Sequence, residues 1–254
     1  MKEGINLDTN NNANILNLHT DGDFEYYSVA VLDELGDVEQ YIWQKDFDEN
    51  EENQDLIKVC ELFELNYNRA LAIGKFDNES IEISSIKDVE PKCFTMADPN
   101  VCSITTNLRK VPLIIKSKQV VNVIIYDPIK KVSALAAVSM RQTLDKSLKE
   151  LILKLNIKYN INPMDLKIGM ISFGNSKVEV NGDTLEVFKN NFHNISHCIS
   201  KTENDITNLD ICKINVATLL EVGAKYENII IIKNEDLPEA LRMDEYVYVV
   251  INIK

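Results

Sequence analysis

An α/β fold is predicted by three features of the chain. Short runs rich in Val and Ile recur at 111–115, 120–126, 132–138, 229–232 and 246–253, and such runs bounded by turn residues read as strands. Between them, Leu144, Leu148, Leu151, Ile152 and Leu155 return at helical spacing, so one face of a helix is apolar and must be covered. A chain of 254 residues that is 45% hydrophobic can bury a substantial core.

From the amino end, residues 1–22 are rich in Asn and Asp around one short apolar patch at 15–18, which predicts an irregular or edge element. Strands follow at 24–32 and 38–43, around a turn at Gly36. The acidic run 46–55 reads as a solvated loop and a favourable helix start rather than a cation site. A helix is expected over 56–65, strands over 70–73 and 80–86, and a loop over 91–100.

The segment 101–144 forms the centre. Its first two apolar runs read as a strand pair, Asp127-Pro128 as a turn, and the third run as leading into a helix. Ser139 and Gln142 have the spacing of a capping box, in which the serine side chain and the glutamine side chain satisfy each other's backbone donors. Beyond the helix, 162–165 is turn-rich, 167–173 is a short strand, and 184–192 is a helix. A second helix carries Asn215, Leu219 and Leu220, with Gly223 expected at its C-terminal cap.

Charge and cysteine usage narrow the function classes. A net charge of −13 disfavours nonspecific binding to nucleic acid or to an anionic membrane. No apolar run approaches the roughly 18 residues that span a bilayer, and the first residues lack the apolar stretch of a signal peptide, so a cytoplasmic address is expected. Five cysteines without C-x-x-C spacing fit a reducing compartment and small core residues.

The central segment resembles the laccase-domain proteins, a family first described as multicopper polyphenol oxidases and now understood as purine nucleoside phosphorylases with some deaminase activity. The family pieces A-D-x-L-V-T-N, R-T-A-D-C-x-P-x-L-L-Y-D-P and V-x-A-x-H-A-G-W-R-G-T have their counterparts here in VCSITTN, KSKQVVNVIIYDP and VSALAAVSMRQT. The resemblance implies one domain over 1–254, with mixed sheets in the middle and helices outside. It also implies a metal, normally taken as zinc, held by two histidines and a cysteine. In this chain the cysteine position is Val120 and one histidine position is Ala137, while the other histidine falls on Asp77.

Three loops implied by the same resemblance differ as well. The T-R-x-G-G-V-S loop is replaced by AVLDELGDVEQ, I-G-P-S-I by MISFG, and the long F-F-S-Y-R loop by the shorter KNEDLPEALRMDE; Gln54 stands at the arginine of the family's E-N-R. Valine and alanine offer no lone pair, so no cofactor is expected; zinc or copper belongs only to an intact site.

Other candidates are few. His193, His197 and Cys198 in FHNISHC offer an alternative metal set if that segment is helical, against the plainer reading of a surface helix end. Arg141 matches the arginine of the W-R-G-T piece and is a candidate for binding an anion such as phosphate; the competing reading pairs it with one of the 40 acidic side chains. His19 needs no role beyond packing or solvent contact.

The expected function is therefore a non-catalytic binding or interaction protein, with a protein partner or a second copy of itself. The alternative is an enzyme acting on purine nucleosides and phosphate through a rearranged site built from Arg141, Asp77 and His193 or His197. A copper-dependent phenol oxidase ranks last, because copper chemistry of that kind also needs a His and Cys set.

Overall fold

The computed structural model describes residues 15–21, 24–44, 57, 60–73, 79–83, 95–96, 101–174, 176–202, 204–242 and 246–254. The first elements among the described residues are β1 (Leu16–Asp21), β2 (Phe24–Val29), α1 (Ala30–Asp33) and β3 (Val38–Gln44). The chain continues through β4 (Leu71–Ile73), β5 (Glu79–Ile83), β6 (Thr95–Met96) and β7 (Val101–Thr106). The central segment supplies β8 (Leu113–Ser117), β9 (Val121–Asp127), β10 (Val132–Val138), α2 (Met140–Leu144) and α3 (Ser147–Tyr159). Then come β11 (Lys167–Ser172), β12 (Lys177–Glu179), α4 (Gly182–Asn191), β13 (Ile199–Lys201) and β14 (Thr207–Asp210). The last elements are α5 (Ile211–Glu221), β15 (Ile229–Ile232) and β16 (Val247–Ile253).

These strands make a seven-stranded sheet in the order β1-β2-β3-β16-β8-β4-β6 and a six-stranded sheet in the order β15-β11-β9-β10-β7-β5. A small third sheet, β12-β14-β13, stands apart from both. Both large sheets are mixed: β4 runs parallel to β8 and to β6, β15 parallel to β11 and β5 parallel to β7, while the remaining ladders are antiparallel. The expected α/β class with mixed sheets and flanking helices is what the chain adopts.

The layering follows from side-chain alternation along each strand. On β9, Ile124 and Tyr126 face the seven-stranded sheet and join Ile42, Ile115 and Val249 in one core. Val121, Val123 and Ile125 face the other way and pack with Leu148, Leu151 and Ile152 of α3 and with Val216 and Leu219 of α5. Every residue of β9 and β10 is consequently buried, as expected for strands covered on both faces.

Several sequence expectations change in form, and the loop expected over 91–100 contains the short strand β6. The runs at 111–115 and 120–126 do not pair with each other: β8 pairs with β16 and β4, while β9 pairs with β10 and β11. The chain crosses between sheets at residues 118–120, where Gln119 adopts φ 56°. The hairpin is instead β9-β10, closed by Asp127, whose Oδ1 accepts the backbone N–H groups of Ile129 and Lys130, each at 2.8 Å.

The single helix expected through 144–155 is two, because Lys146 takes a left-handed conformation at φ 56° and separates α2 from α3. The capping box is present: Ser139 Oγ accepts from Arg141 N at 3.2 Å, and Gln142 Oε1 accepts from Ser139 N at 3.1 Å. Gly223 follows α5 at φ +98°, a conformation that only glycine takes without strain.

The strand expected over 24–32 stops at Val29, and 30–33 turns into α1. Asp33 ties that turn back to the sheet, accepting from Asn17 Nδ2 at 2.8 Å and from Ser28 Oγ. The apolar patch near residue 16 is the edge strand β1. The acidic run 46–55 lies outside the described residues, as do residues 56, 58 and 59; of the helix expected over 56–65, residues 57 and 60–62 are helical and 63–64 turn.

Candidate functional site

Val120 and Ala137 are brought together by the β9-β10 hairpin. Asn122 is the cross-strand partner of Ala137, and Val120, two residues before Asn122, shares its face and so stands diagonally to Ala137. Both positions look into the space between the two large sheets. Ala137 is 1% exposed within that core, and the half-buried Val120 packs against it. The carbonyl of Val120 accepts the backbone N–H of Phe173 at 3.3 Å, which ties the crossing loop to β11 and its end.

The surroundings are apolar. Phe173, Ile232, Leu237 and Leu241 belong to the same core, the last two supplied by the short connection between β15 and β16. The neighbouring polar side chain is Asn122, fully buried, whose Nδ2 donates to Ser117 Oγ at 2.7 Å. Its Oδ1 is buried without a hydrogen-bond partner.

An amide oxygen and a hydroxyl are neutral, weak ligands. Zinc requires imidazole, thiolate or carboxylate donors in a set of three or more, and valine and alanine contribute none. The residues present at 120, 122 and 137 do not fit the metal that the family resemblance implies. Among the described residues, no group of three His, Cys, Asp or Glu side chains is placed to hold a metal ion. Asp77 lies outside the described residues.

The alternative set does not assemble as a helical pair. α4 ends at Asn191, Asn194 turns left-handed at φ 58°, and Ile195–Cys198 form a separate 3-10 turn. His193 and His197 are exposed, whereas Cys198 is buried with Phe188 and Phe192. Burial, and secondly the charge of Asp210, push the Cys198 thiol up to about 12, so it holds its proton at neutral pH.

Arg141 is exposed on the first turn of α2, with Nε 3.9 Å from Asp145 Oδ2 in an i,i+4 pair. Such a pair is screened by water and contributes little.

One polar cluster was not legible in the sequence. His19 stacks on Tyr26 with ring centroids 4.8 Å apart, and its Nε2 lies 2.7 Å from Ser28 Oγ. Ser28 in turn donates to Asp33, and Gln40 Nε2 donates to Asp33 Oδ1 at 3.4 Å. Serine, histidine and aspartate meet here, but Ser28 is 1% exposed and gives its proton to Asp33. The arrangement holds β1, β2, α1 and β3 together and offers no accessible nucleophile. Its only sequence trace is that α1 occupies the replaced loop AVLDELG.

Residues 52–236 match the family model described as multi-copper polyphenol oxidoreductase laccase. That span is well over half of the chain, and the chain belongs to this laccase-domain family. Its fold is shared with YlmD from Geobacillus stearothermophilus at a TM-score of 0.76 and 12% identity, covering 94% of this chain and 99% of that one. The hypothetical protein YfiH of Bacillus licheniformis aligns at a TM-score of 0.74 and 12% identity, over 90% and 96% of the two chains. The Neisseria meningitidis protein NMB0706 aligns at 0.64 and 10% identity, over 86% and 95%. No curated protein sequence matches the chain.

Proposed function

We propose that this protein is a laccase-domain scaffold that works by binding rather than by catalysis. Its partner is another protein or a second copy of the same chain, and it acts in the cytoplasm without a metal cofactor, as one domain over residues 1–254. The observation that carries this reading is the chemistry at Val120 and Ala137, where two ligand positions of the family are hydrocarbon and belong to the core between the sheets. A site without donors there has neither a Lewis acid nor an activated water. Among the described residues, no helix is long and apolar enough to cross a membrane.

The test uses protein purified without added metal. Elemental analysis should find no stoichiometric zinc or copper, and adenosine and inosine should be neither cleaved in phosphate buffer nor deaminated. Turnover of either nucleoside near about 1 per second, within the ordinary enzyme range, overturns the reading.

A further inference from the structure

The outer face of the seven-stranded sheet, turned away from Val120 and Ala137, carries a cavity of about 560 Å³. Alternation puts it there: Val38 and Ile253 point into the central core, so the neighbouring Glu39, Tyr41 and Lys254 are left to the outer side. Phe63 comes down on Tyr41 with ring centroids 3.8 Å apart and 22° between planes, and the two rings make an apolar wall. Glu39 already has partners here, accepting from Asn252 Nδ2 at 3.2 Å and pairing with Lys254 Nζ at 3.5 Å.

Two charges of the cavity are left over. Glu64 and Lys110 both line it, both are exposed, and among the described residues neither forms an ion pair. Both also hold left-handed backbones, at φ 53° and 57°, a conformation that a residue with a Cβ adopts at a cost. Glu64 follows the helical residues 60–62 in a Schellman motif: Leu65 N donates to Cys60 O at 2.7 Å, and Glu64 N to Glu61 O at 3.2 Å. Glycine is usual at that position, and the partial negative charge of a helix end repels a carboxylate there. Lys110 is tied to the last strand, its backbone N–H donating to Ile253 O at 2.8 Å. Unfavourable backbone and unpaired charge of opposite sign thus meet at one cavity, as they do at ligand clamps.

Charge selects among ligands. A simple anion suits Lys110 and is repelled by Glu64, and a simple cation meets the reverse. A zwitterion satisfies both, and an apolar group attached to it displaces water from the Tyr41 and Phe63 wall. We propose that this cavity binds a free α-amino acid with a large apolar side chain, its carboxylate on Lys110, its ammonium on Glu64 and its side chain against Tyr41 and Phe63. The site lies on the other side of the sheet from the family's metal positions, so it stands or falls independently of the non-catalytic reading.

L-Phenylalanine, 3-phenylpropanoate and phenethylamine provide the test, because they share a ring and differ in the charges they carry. Calorimetric titration of the full chain should show saturable phenylalanine binding, with each singly charged analogue weaker by about tenfold or more, the worth of one charge-assisted hydrogen bond. Lys110→Gln should weaken phenylalanine and phenylpropanoate and spare phenethylamine. Glu64→Gln should weaken phenylalanine and phenethylamine and spare phenylpropanoate. Both side chains are exposed, so neither change disturbs a core. Absence of saturable phenylalanine binding, equal binding of the three compounds by the unmodified protein, or an equal effect of either variant on the two analogues overturns the proposal.

Discussion

Asn122 Nδ2 donates to Ser117 Oγ across 2.7 Å, and this bond ties the last residue of β8 in one sheet to the second residue of β9 in the other. Both side chains are buried, Ser117 at 1% exposure. The bond spans the place where the chain changes sheets.

Ser117→Ala is accordingly expected to leave Asn122 with neither end of its amide paired, at a cost of about 1 to 3 kcal/mol. Replacing both partners, as in Ser117→Ala with Asn122→Leu, should cost less than the sum of the single changes. Urea denaturation of the four proteins measures the coupling as a double-mutant cycle. Additive effects, within about 0.3 kcal/mol, would mean that the bond contributes nothing between the sheets.

Leu148 and Leu151 each lie at 1% exposure between α3 and the six-stranded sheet. Their replacement by Ala should cost about 2 to 5 kcal/mol each, the lost transfer energy plus the cavity left behind. Chemical denaturation decides it. Losses below about 0.5 kcal/mol at both positions would place this stripe on the surface instead.

Local signals were legible in the sequence. The S-x-x-Q cap at Ser139, the glycine after α5 and the turn at Asp127 depend on residues within a few positions of one another, and each formed as its chemistry dictates. Long-range choices were not. The runs at 111–115 and 120–126 are both apolar and rich in branched residues, and it is β4 and β16, dozens to more than a hundred residues away, that draw β8 into the other sheet. The break at Lys146 was hidden because lysine is an ordinary helix former, and no neighbouring glycine or proline marks its left-handed turn. At the candidate site, Val120 and Ala137 were found through the family motif alone, since by pattern they are simply strand residues. The His19, Ser28 and Asp33 cluster lies within one short stretch, yet it depends on the β1-β2 pairing and on the turn into α1, which no spacing rule announces.

Burial also gives the protein an alkaline weakness. The Cys212 thiol, 2% exposed, is pushed up to about 12 mainly by burial and then by the charge of Asp210. The unfolded thiol ionises near about 8.5, so between there and about 12 the folded state keeps a proton that the unfolded state releases. The stabilising contribution is complete below the lower value and shrinks as pH rises, by up to about 1.4 kcal/mol per pH unit for this one group. Cys60 is raised to about 12 by the same cause, and the phenols of the half-buried Tyr41 and the buried Tyr126 are raised as well. Urea midpoints should therefore fall from pH 8 to pH 10, and fall less in Cys212→Ala. An unchanged slope in that variant would remove Cys212 from the account.

Ala137 is closed into the core between the sheets, and Val120 lies half-buried against it. Ala137→His forces an imidazole into a position at 1% exposure, against Leu135 and Ile124 in the same core. Overpacking should cost about 1 to 3 kcal/mol, and an unpaired ring nitrogen adds to it. Val120 is only half-buried, so Val120→Cys should cost under about 1.5 kcal/mol, as a change of similar volume. If the two positions keep the diagonal relationship set by the β9-β10 register, the triple variant Asp77→His, Val120→Cys, Ala137→His gains three donors that the unmodified chain lacks. Zinc should then raise the thermal midpoint of the triple variant, because a ligand that binds only the folded state stabilises it by mass action. The unmodified protein and the two single variants should not respond. Turnover should remain low even in the metal-loaded triple variant, since AVLDELG and the shortened β15-β16 connection replace the loops that position substrate in the family. Equal stabilisation of the unmodified protein by zinc would mean that a donor set other than these positions holds the metal, and the non-catalytic reading would lose its principal support.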